Sequence, residues 1–334
     1  MKVVVTGGGT GGHLFPAILI CEELIRNGHE VYYFGNAKCI EKTETAKRNI
    51  PFYAIPSRNT SKKDIKFVVE NTRGILKALR ILKKIKPDVV YSTGGFTTAP
   101  VLAATSYLKI PFVLHEQNTV VGLVNKIFRK SANSFIHSFP FDVEEHEKMI
   151  GNLSRYDDEL QRTESHVVFM GGSGGAKFIN QLAVQYAKDN PHKQVCLLSG
   201  RNFEMTESIP NLSIQGFVED MREIYRKSEV VIARAGSTTL AELSYYGIPS
   251  IIIPMPNSAD NHQEKNAEYY EWKNAIIKIS QDEYTYHTLS NAVNKLSRDL
   301  KKSLSTYFKS CYNKNAKSQI IKEIHRVSKA NKIH

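Results

Sequence analysis

Short apolar runs rich in valine alternate with segments whose apolar residues recur every three to four positions. Lys2–Thr6 is a continuous apolar run of the kind expected of a buried strand. Pro16–Asn27 follows with helical periodicity, and Gly28 stands where a glycine closes a helix. Glu30–Phe34, Asp88–Ser92 and Phe112–His115 repeat the strand form, with a helix around Arg73–Ile85. Residues 142–165 break the rhythm: they are polar and charged, and no strand is expected there. The scheme then restarts with strand His166–Met170, helix Lys177–Lys188 and strands Gln194–Leu198 and Glu229–Ala233. Helix Leu240–Tyr246, strand Ser250–Ile253 and a basic helical tail over residues 290–334 follow. Apolar strands alternating with helices predict parallel sheets covered on both faces. The restart predicts an α/β chain of two Rossmann-like domains facing one another across a cleft, with a boundary near residues 155–165.

Length agrees with that division, since 334 residues suit two domains of ordinary size. No apolar run reaches the ~18–20 residues that span a bilayer. The amino-terminal run is too short for a signal peptide and leads directly into glycines, so a cytosolic protein is expected. Cys21, Cys39, Cys196 and Cys311 lie too far apart for metal or redox spacing and are expected to be idle thiols. The net charge of +12 favours an anionic partner: nucleic acid, a membrane surface or a phosphorylated substrate.

Four glycine-rich loops follow predicted strands: Gly7–Gly12, Gly94-Gly95, Gly171–Gly175 and Gly236-Ser237-Thr238. In an open α/β sheet ligands bind beyond the carboxyl ends of the strands, and glycine loops leading into helices bring amide groups and a helix dipole to a phosphate. Gly7-x-Gly9-x-x-Gly12 matches the dinucleotide fingerprint in form. The acid that would hold a ribose is missing, because the second strand ends in Gly35-Asn36. Gly171–Gly175 runs into Ala176-Lys177, the wrong spacing for a P-loop lysine. Glu242, in "GSTTLAE", suits either a ribose diol or the dipole of the helix start. "LHEQN" places His115, Glu116, Gln117 and Asn118 at a strand end, as a ligand-facing or a loop-capping group. In "ADNHQEKNA", capping accounts for Asp260 but leaves Gln263 without a structural task. His13 closes the first loop, where it suits proton transfer or a hydrogen-bonded helix start.

Taken in order, "TGGGTGGHLFP", "STGGF", "LHEQN", "GGSGGA", "GFVEDM", "ARAGSTTLAE" and "DNHQEKNA" resemble the successive motifs of the MurG family, from residue 3 to about residue 267. The resemblance implies a GT-B glycosyltransferase that makes lipid II for peptidoglycan. The donor would be UDP-N-acetylglucosamine (UDP-GlcNAc). The acceptor would be undecaprenyl-pyrophosphoryl-N-acetylmuramoyl-pentapeptide, attacked through its sugar 4-hydroxyl with inversion at the anomeric carbon. Domains of 1–158 and 159–310 are expected, with a closing helix, 311–334, returning to the first. The resemblance places Thr10, Gly11 and Gly12 along the cleft, Asn118 opposite the sugar and Arg155 near the hinge. It gives the pyrophosphate to Ser173 and to Ser237, Thr238 and Thr239. Uracil falls to the Val218 backbone, the ribose to Glu242 and the sugar hydroxyls to Gln263. His13 would be the general base or position the acceptor, with the carboxylate of Glu116 as the alternative base. The chain departs from the family where "GNP" reads Gly151-Asn152-Leu153, where His262 replaces a glutamine, and at Ser237-Thr238.

No loop carries a DxD-like motif, and neither a cofactor nor a metal is expected: helix amino termini would meet the leaving pyrophosphate. The implied lipid acceptor requires a membrane visit. Lys62–Lys86 holds nine Lys/Arg and two acids, with Ile75, Leu76, Leu79 and Leu82 at helical spacing. Tyr107-Leu108 could extend such a patch. This predicts peripheral contact with an anionic membrane at its cytoplasmic face, with core packing as the competing use of those apolar residues. No nucleic-acid partner is expected, because aromatics do not interleave with the basic residues. Other proteins of cell-wall synthesis are possible partners.

Overall fold

The computed structural model describes residues 1–59, 64–172, 174–200, 203 and 208–330. It divides into two compact units, Met1–Arg155 with Asn313–His334, and Tyr156–Tyr312. Tyr156 belongs with the second unit because its ring packs on Tyr225 and Tyr246 and its hydroxyl accepts from the Met221 amide at 2.8 Å. Tyr312 stays there through an edge contact with Tyr245. The divisions therefore fall at 155/156 and 312/313, a few residues from the 158/159 and 310/311 expected from sequence.

The first unit carries strands β1 (Lys2–Thr6), β2 (Glu30–Gly35), β3 (Phe52–Ala54), β4 (Val89–Ser92), β5 (Phe112–Glu116), β6 (Ser134–His137) and β7 (Lys148–Met149). All neighbours are parallel, in the order β3-β2-β1-β4-β5-β6-β7. Its helices are α1 (Gly11–Arg26), α2 (Glu41–Lys47), α3 (Ile65–Ile85), α4 (Ala99–Tyr107) and α5 (Leu123–Phe128). The apolar run of β1 serves both faces. Val3 and Val5 pack with α1 residues Leu14, Ile18 and Leu24, whereas Val4 packs with Ala78 and Leu82 of α3 and Val101 and Leu102 of α4.

The second unit repeats the plan with β8 (His166–Met170), β9 (Gln194–Leu198), β10 (Leu212–Gln215), β11 (Ser228–Ala233), β12 (Ser250–Ile252) and β13 (Ile277–Lys278). These strands are parallel, in the order β10-β9-β8-β11-β12-β13. The helices are α6 (Lys177–Asp189), α7 (Arg222–Lys227), α8 (Ser237–Tyr246), α9 (His262–Trp272), α10 (Thr285–Asn294) and α11 (Arg298–Ser310). A last helix, α12 (Ala316–Ala330), buries Ala316, Ile320, Ile324 and Val327 in the cluster that holds Val3 and Val5. No helix among the described residues is long and apolar enough to cross a membrane.

Several expected boundaries move for identifiable reasons. α1 begins at Gly11 and not at Pro16, because a proline inside a helix costs one bond, here to the Gly12 carbonyl, without ending it. α3 begins at Ile65, where Asp64 caps it by accepting from the Phe67 amide at 2.8 Å. The polar stretch 142–165 does contain a strand, the two-residue edge strand β7, too short to leave a periodic pattern. Asp260 does not cap α9. It lies in a 3-10 turn at φ 51°, and Ser258 Oγ accepts from the Gln263 amide at 3.1 Å.

Candidate functional site

Both sheets reverse strand order between their first and fourth strands, at β1/β4 and β8/β11. Loops at such a switch point splay apart and leave a crevice beyond the carboxyl ends. All four glycine loops belong to these switch-point strands.

In the first unit the loop after β1 is anchored on several sides. Tyr33 donates to the Gly7 carbonyl, Gly8 N–H to the Gly94 carbonyl at 3.3 Å and Gly9 N–H to Glu41 Oε1 at 2.9 Å. A side chain on Gly95 (φ 91°) would put its Cβ 2.1 Å from the Gly8 carbonyl oxygen, so only glycine permits this approach. Thr10, exposed, is the N-cap of α1; its side chain caps nothing, and the first turn holds no acid. The turn at Thr10, Gly11 and Gly12 is therefore the part of the loop suited to an anion.

His13 lies half-buried in that first turn. Its Nδ1 faces two oxygens, the Thr93 carbonyl at 2.9 Å and Gln117 Oε1 at 3.0 Å. Gln117 is fully buried, and its Nε2 donates to the His115 carbonyl at 2.7 Å, which fixes which end of the amide faces the histidine. Two acceptors on Nδ1 require the proton there, so Nε2 of the neutral ring carries the lone pair. Thr93 Oγ1 also donates to the His13 carbonyl at 2.7 Å. Sequence reasoning placed Gln117 only within the strand-end group and did not single out Thr93. The signal was available in "STGGF" and "LHEQN", but only the parallel pairing of β4 with β5 brings them to His13.

Glu116 is fully buried and meets four donors. Oε1 accepts from Asn118 N at 3.0 Å and Asn118 Nδ2 at 3.2 Å; Oε2 accepts from Gly122 N and Asn125 Nδ2, both at 2.9 Å. A carboxylate engaged in this way organises its loop and orients Asn118, which is half-buried. This geometry speaks against the expected alternative of Glu116 as base. His115 is buried between Tyr91 OH at 2.8 Å and Ser138 Oγ at 2.9 Å. Burial lowers its pKa to about 3 and keeps it neutral. Arg155 stacks its guanidinium over Phe15 of α1, 5.3 Å from the ring centre.

In the second unit the loop after β8 divides its glycines by use. A Cβ on Gly175 would lie 2.3 Å from the Ser199 carbonyl, whereas Gly172 and Gly174 have nothing within 4 Å of that position and leave the backbone open. Ser173, between them, lies outside the described residues. α8 opens at Ser237, ahead of the expected Leu240, with Gly236 as N-cap, no side-chain cap and no acid in the first turn. Ser237, Thr238 and Thr239 thus form the uncapped turn, and Thr238 Oγ1 is buried without a hydrogen-bond partner among the described residues. Arg234, in the same loop, is buried. It donates to the Ile253 and Pro254 carbonyls at 3.0 and 2.9 Å and to Gln281 Oε1 at 2.7 Å, and no carboxylate pairs with it among the described residues. Burial lowers its pKa, but a guanidinium stays charged, so it is a fixed cation in the loop that leads into the turn. Sequence reasoning missed it.

Glu242 sits in the second turn of α8, not the first, and is buried. Beyond the first turn the helix dipole fades, which removes the simple structural use for this acid. Tyr225 OH donates to its Oε2 at 2.7 Å. Val218 is half-buried in the loop between β10 and α7. Gln263 has a structural task after all: its Oε1 accepts from the Met255 amide at 3.0 Å. Glu144, His146 and Glu147 bring three candidate metal ligands within 4.8 Å of one another, but Arg129 and His137 already hold the Glu147 carboxylate at 2.6 Å.

The fold and these uncapped turns define a two-domain α/β glycosyltransferase. Residues 3–136 match the glycosyltransferase family 28 N-terminal domain and residues 166–324 its C-terminal domain. Two relatives carry the name UDP-N-acetylglucosamine--N-acetylmuramyl-(pentapeptide) pyrophosphoryl-undecaprenol N-acetylglucosamine transferase. The one from Halothermothrix orenii is 33% identical, over 90% of this chain and 92% of its own length. The one from Halalkalibacterium halodurans is 35% identical, over 85% and 87%. A solved structure, Acinetobacter baumannii MurG, superposes with a TM-score of 0.78 at 25% identity, covering 97% of this chain and 99% of that one. The chain belongs to glycosyltransferase family 28 and, within it, to the MurG family.

Proposed function

We propose that the chain transfers N-acetylglucosamine from UDP-GlcNAc to the 4-hydroxyl of the muramoyl sugar of undecaprenyl-pyrophosphoryl-N-acetylmuramoyl-pentapeptide. The observation that carries the mechanism is that the Thr93 carbonyl and Gln117 Oε1 both face His13 Nδ1, an arrangement that requires the proton there. It leaves Nε2 able to take the hydroxyl proton as the acceptor oxygen bonds to the anomeric carbon. The bond from that carbon to the UDP oxygen breaks in the same displacement, so the anomeric configuration inverts. Base catalysis of this kind contributes roughly 10²–10⁴-fold. Thr10, Gly11 and Gly12 serve the acceptor side, with Asn118 toward the transferred sugar and Arg155 braced on Phe15.

In the second unit the leaving pyrophosphate is met by Ser173 and by the uncapped turn of Ser237, Thr238 and Thr239. The buried Arg234 charge in the loop that leads into that turn supports this reading, because preorganised donors and charge stabilise a developing anion at little reorganisation cost. Val218 offers its backbone to uracil, Glu242 takes the ribose diol and Gln263, after leaving Met255, the sugar hydroxyls.

For the acceptor's membrane we propose peripheral docking at the cytoplasmic face through α3. Leu82 is buried and Ile75 and Leu79 are half-buried, so those three pack inward and are not the contact expected from sequence. The apolar face supporting docking lies nearer the start of the helix: Ile65, Val68, Val69 and Leu76 are 83%, 60%, 40% and 61% exposed. Lys66, Arg73, Lys77, Arg80, Lys83 and Lys84 stand on the same helix, and Tyr107, on α4, is exposed. Lys62 and Lys63 lie outside the described residues.

The decisive experiment is a transfer assay with UDP-GlcNAc and a short-chain version of the lipid-linked acceptor. Product that requires both substrates is expected, with UDP-glucose a much poorer donor. Release of UDP without an acceptor-linked product would reject the assignment.

A further inference from the structure

Glu41 is the first residue of α2 and is fully buried, yet no cation pairs with it among the described residues. Its carboxylate reaches under the β1 loop. Oε1 accepts from Gly9 N–H at 2.9 Å and stands 1.9 Å from where a Cβ on Gly8 would be. Gly9 (φ 84°) has the Phe96 ring 2.6 Å from its own Cβ position, so the backbone there is confined between a carboxylate and an aromatic ring. Burial raises the Glu41 pKa, against the lowering by its own and the Gly9 amide and by the Thr97 and Cys39 side chains. A buried acid without a counter-ion is costly, and its carboxylate lies against the bend that leads directly to Thr10, Gly11, Gly12 and His13.

We propose that Glu41 is a positioning residue for the acceptor. By binding the Gly9 amide it turns that donor inward, holds the Gly8-Gly9 bend, and leaves the Thr10–Gly12 turn as the part of the loop that meets the acceptor's pyrophosphate. An anion cannot share the Gly9 amide with a carboxylate, so the site for the phosphate is displaced along the chain toward His13. The role belongs to an accepting oxygen and not to the charge, since a neutral amide oxygen can hold the same N–H. The inference rests on the reading that the first loop serves the acceptor.

The test compares Glu41→Gln, which keeps volume and acceptor, with Glu41→Met, which keeps volume only. The full chain is assayed for acceptor KM, kcat and Kd for UDP, with thermal melting as the check on folding. Glu41→Gln is expected to keep acceptor KM within about 3-fold. Glu41→Met is expected to raise it by about 10-fold or more, the scale of one lost hydrogen bond to a charged group, with Kd for UDP unchanged. Equal acceptor KM in the two variants would overturn the proposal, as would equal impairment of both, or a Glu41→Met chain that no longer melts cooperatively while Glu41→Gln also loses transfer. Gly11→Pro separates the two readings, because it removes one amide donor of the turn at the first helical position, where proline is accepted after the extended Thr10. If it leaves acceptor KM unchanged, the assignment of the loop fails; if it raises KM while Glu41→Met does not, only the role of Glu41 fails.

Discussion

Replacing Gln117 by glutamate should move the acid limb of the pH–rate profile upward. In the structure Gln117 Oε1 stands 3.0 Å from His13 Nδ1. A carboxylate in that place faces an N–H that becomes formally cationic when the ring is protonated. With charge centres ~4 Å apart and an effective dielectric constant of ~20, the attraction is about 4 kcal/mol. Desolvating a carboxylate at a fully buried position takes back a large share, and so does the His115 carbonyl, which the second carboxylate oxygen meets where Nε2 donates at 2.7 Å in the native chain; the net is ~1.4–2.8 kcal/mol, or roughly 1–2 pH units. The sign follows from the role. An adjacent anion stabilises imidazolium and raises its pKa, and the base must be neutral, so activity is lost at higher pH than before. The assay is kcat/KM for transfer between about pH 5 and 9.5. The acid limb should rise by about 1–2 units, with activity returning toward the starting level on the alkaline side. Gln117→Leu removes one acceptor without adding charge and should leave the limb in place, because the Thr93 carbonyl still holds the Nδ1 proton. A limb that stays put in Gln117→Glu, with melting temperature and UDP binding preserved, would refute His13 as the titrating base.

Tyr225→Phe deletes the hydroxyl that donates to Glu242 Oε2 at 2.7 Å. Calorimetric titration should show UDP binding weakened by more than about 10-fold, the ~1.5–3 kcal/mol scale of a hydrogen bond to a charged group; unchanged affinity would mean that the carboxylate is not set by Tyr225. Reversing Lys77 and Lys84 on α3 should lower partitioning onto anionic vesicles by more than about 10-fold, at ~1 kcal/mol per basic residue near the surface. Binding that ignores both the substitutions and added salt would reject the α3 docking face. Acid should also destabilise the first unit. Burial opposes ionisation of Glu147 and Glu323, but Arg129 outweighs it for the first and Arg326 with Lys148 for the second, holding both carboxyls at about 2. Folded pKa values below the ordinary 4.5 give stability that is present above that pH and lost as pH falls through about 2. Discounted for screening, that is ~1–2 kcal/mol each. Urea midpoints at pH 6 and pH 2.5 should converge in Glu147→Gln/Glu323→Gln, and an undiminished pH dependence would rule these two acids out.

Strand identity was decided locally. A run such as Val3-Val4-Val5 between charged or glycine-rich ends can be buried on both faces only in a covered parallel sheet, and the matching run at residues 166–170 announced a second such sheet. The glycine loops were equally legible, since they stand directly after those strands. Other features depended on partners remote in sequence. β7 owes its existence to pairing with β6, which no periodicity in two residues can signal. The proton on His13 Nδ1 is set by Thr93 and Gln117, 80 and 104 residues away, which β4 and β5 carry to the same end of the sheet. Glu116 and Gln263 looked available as chemistry but are occupied by neighbouring loop donors, whereas Glu41 looked ordinary and lies against the first phosphate-scale turn, and Arg234 is a buried cation in the loop that leads into the second. Local composition could determine which backbone segments are bare and where helices begin. Which side chain is left with a usable lone pair or charge depends on every donor and acceptor around it, and only the folded arrangement of strand ends brings those together.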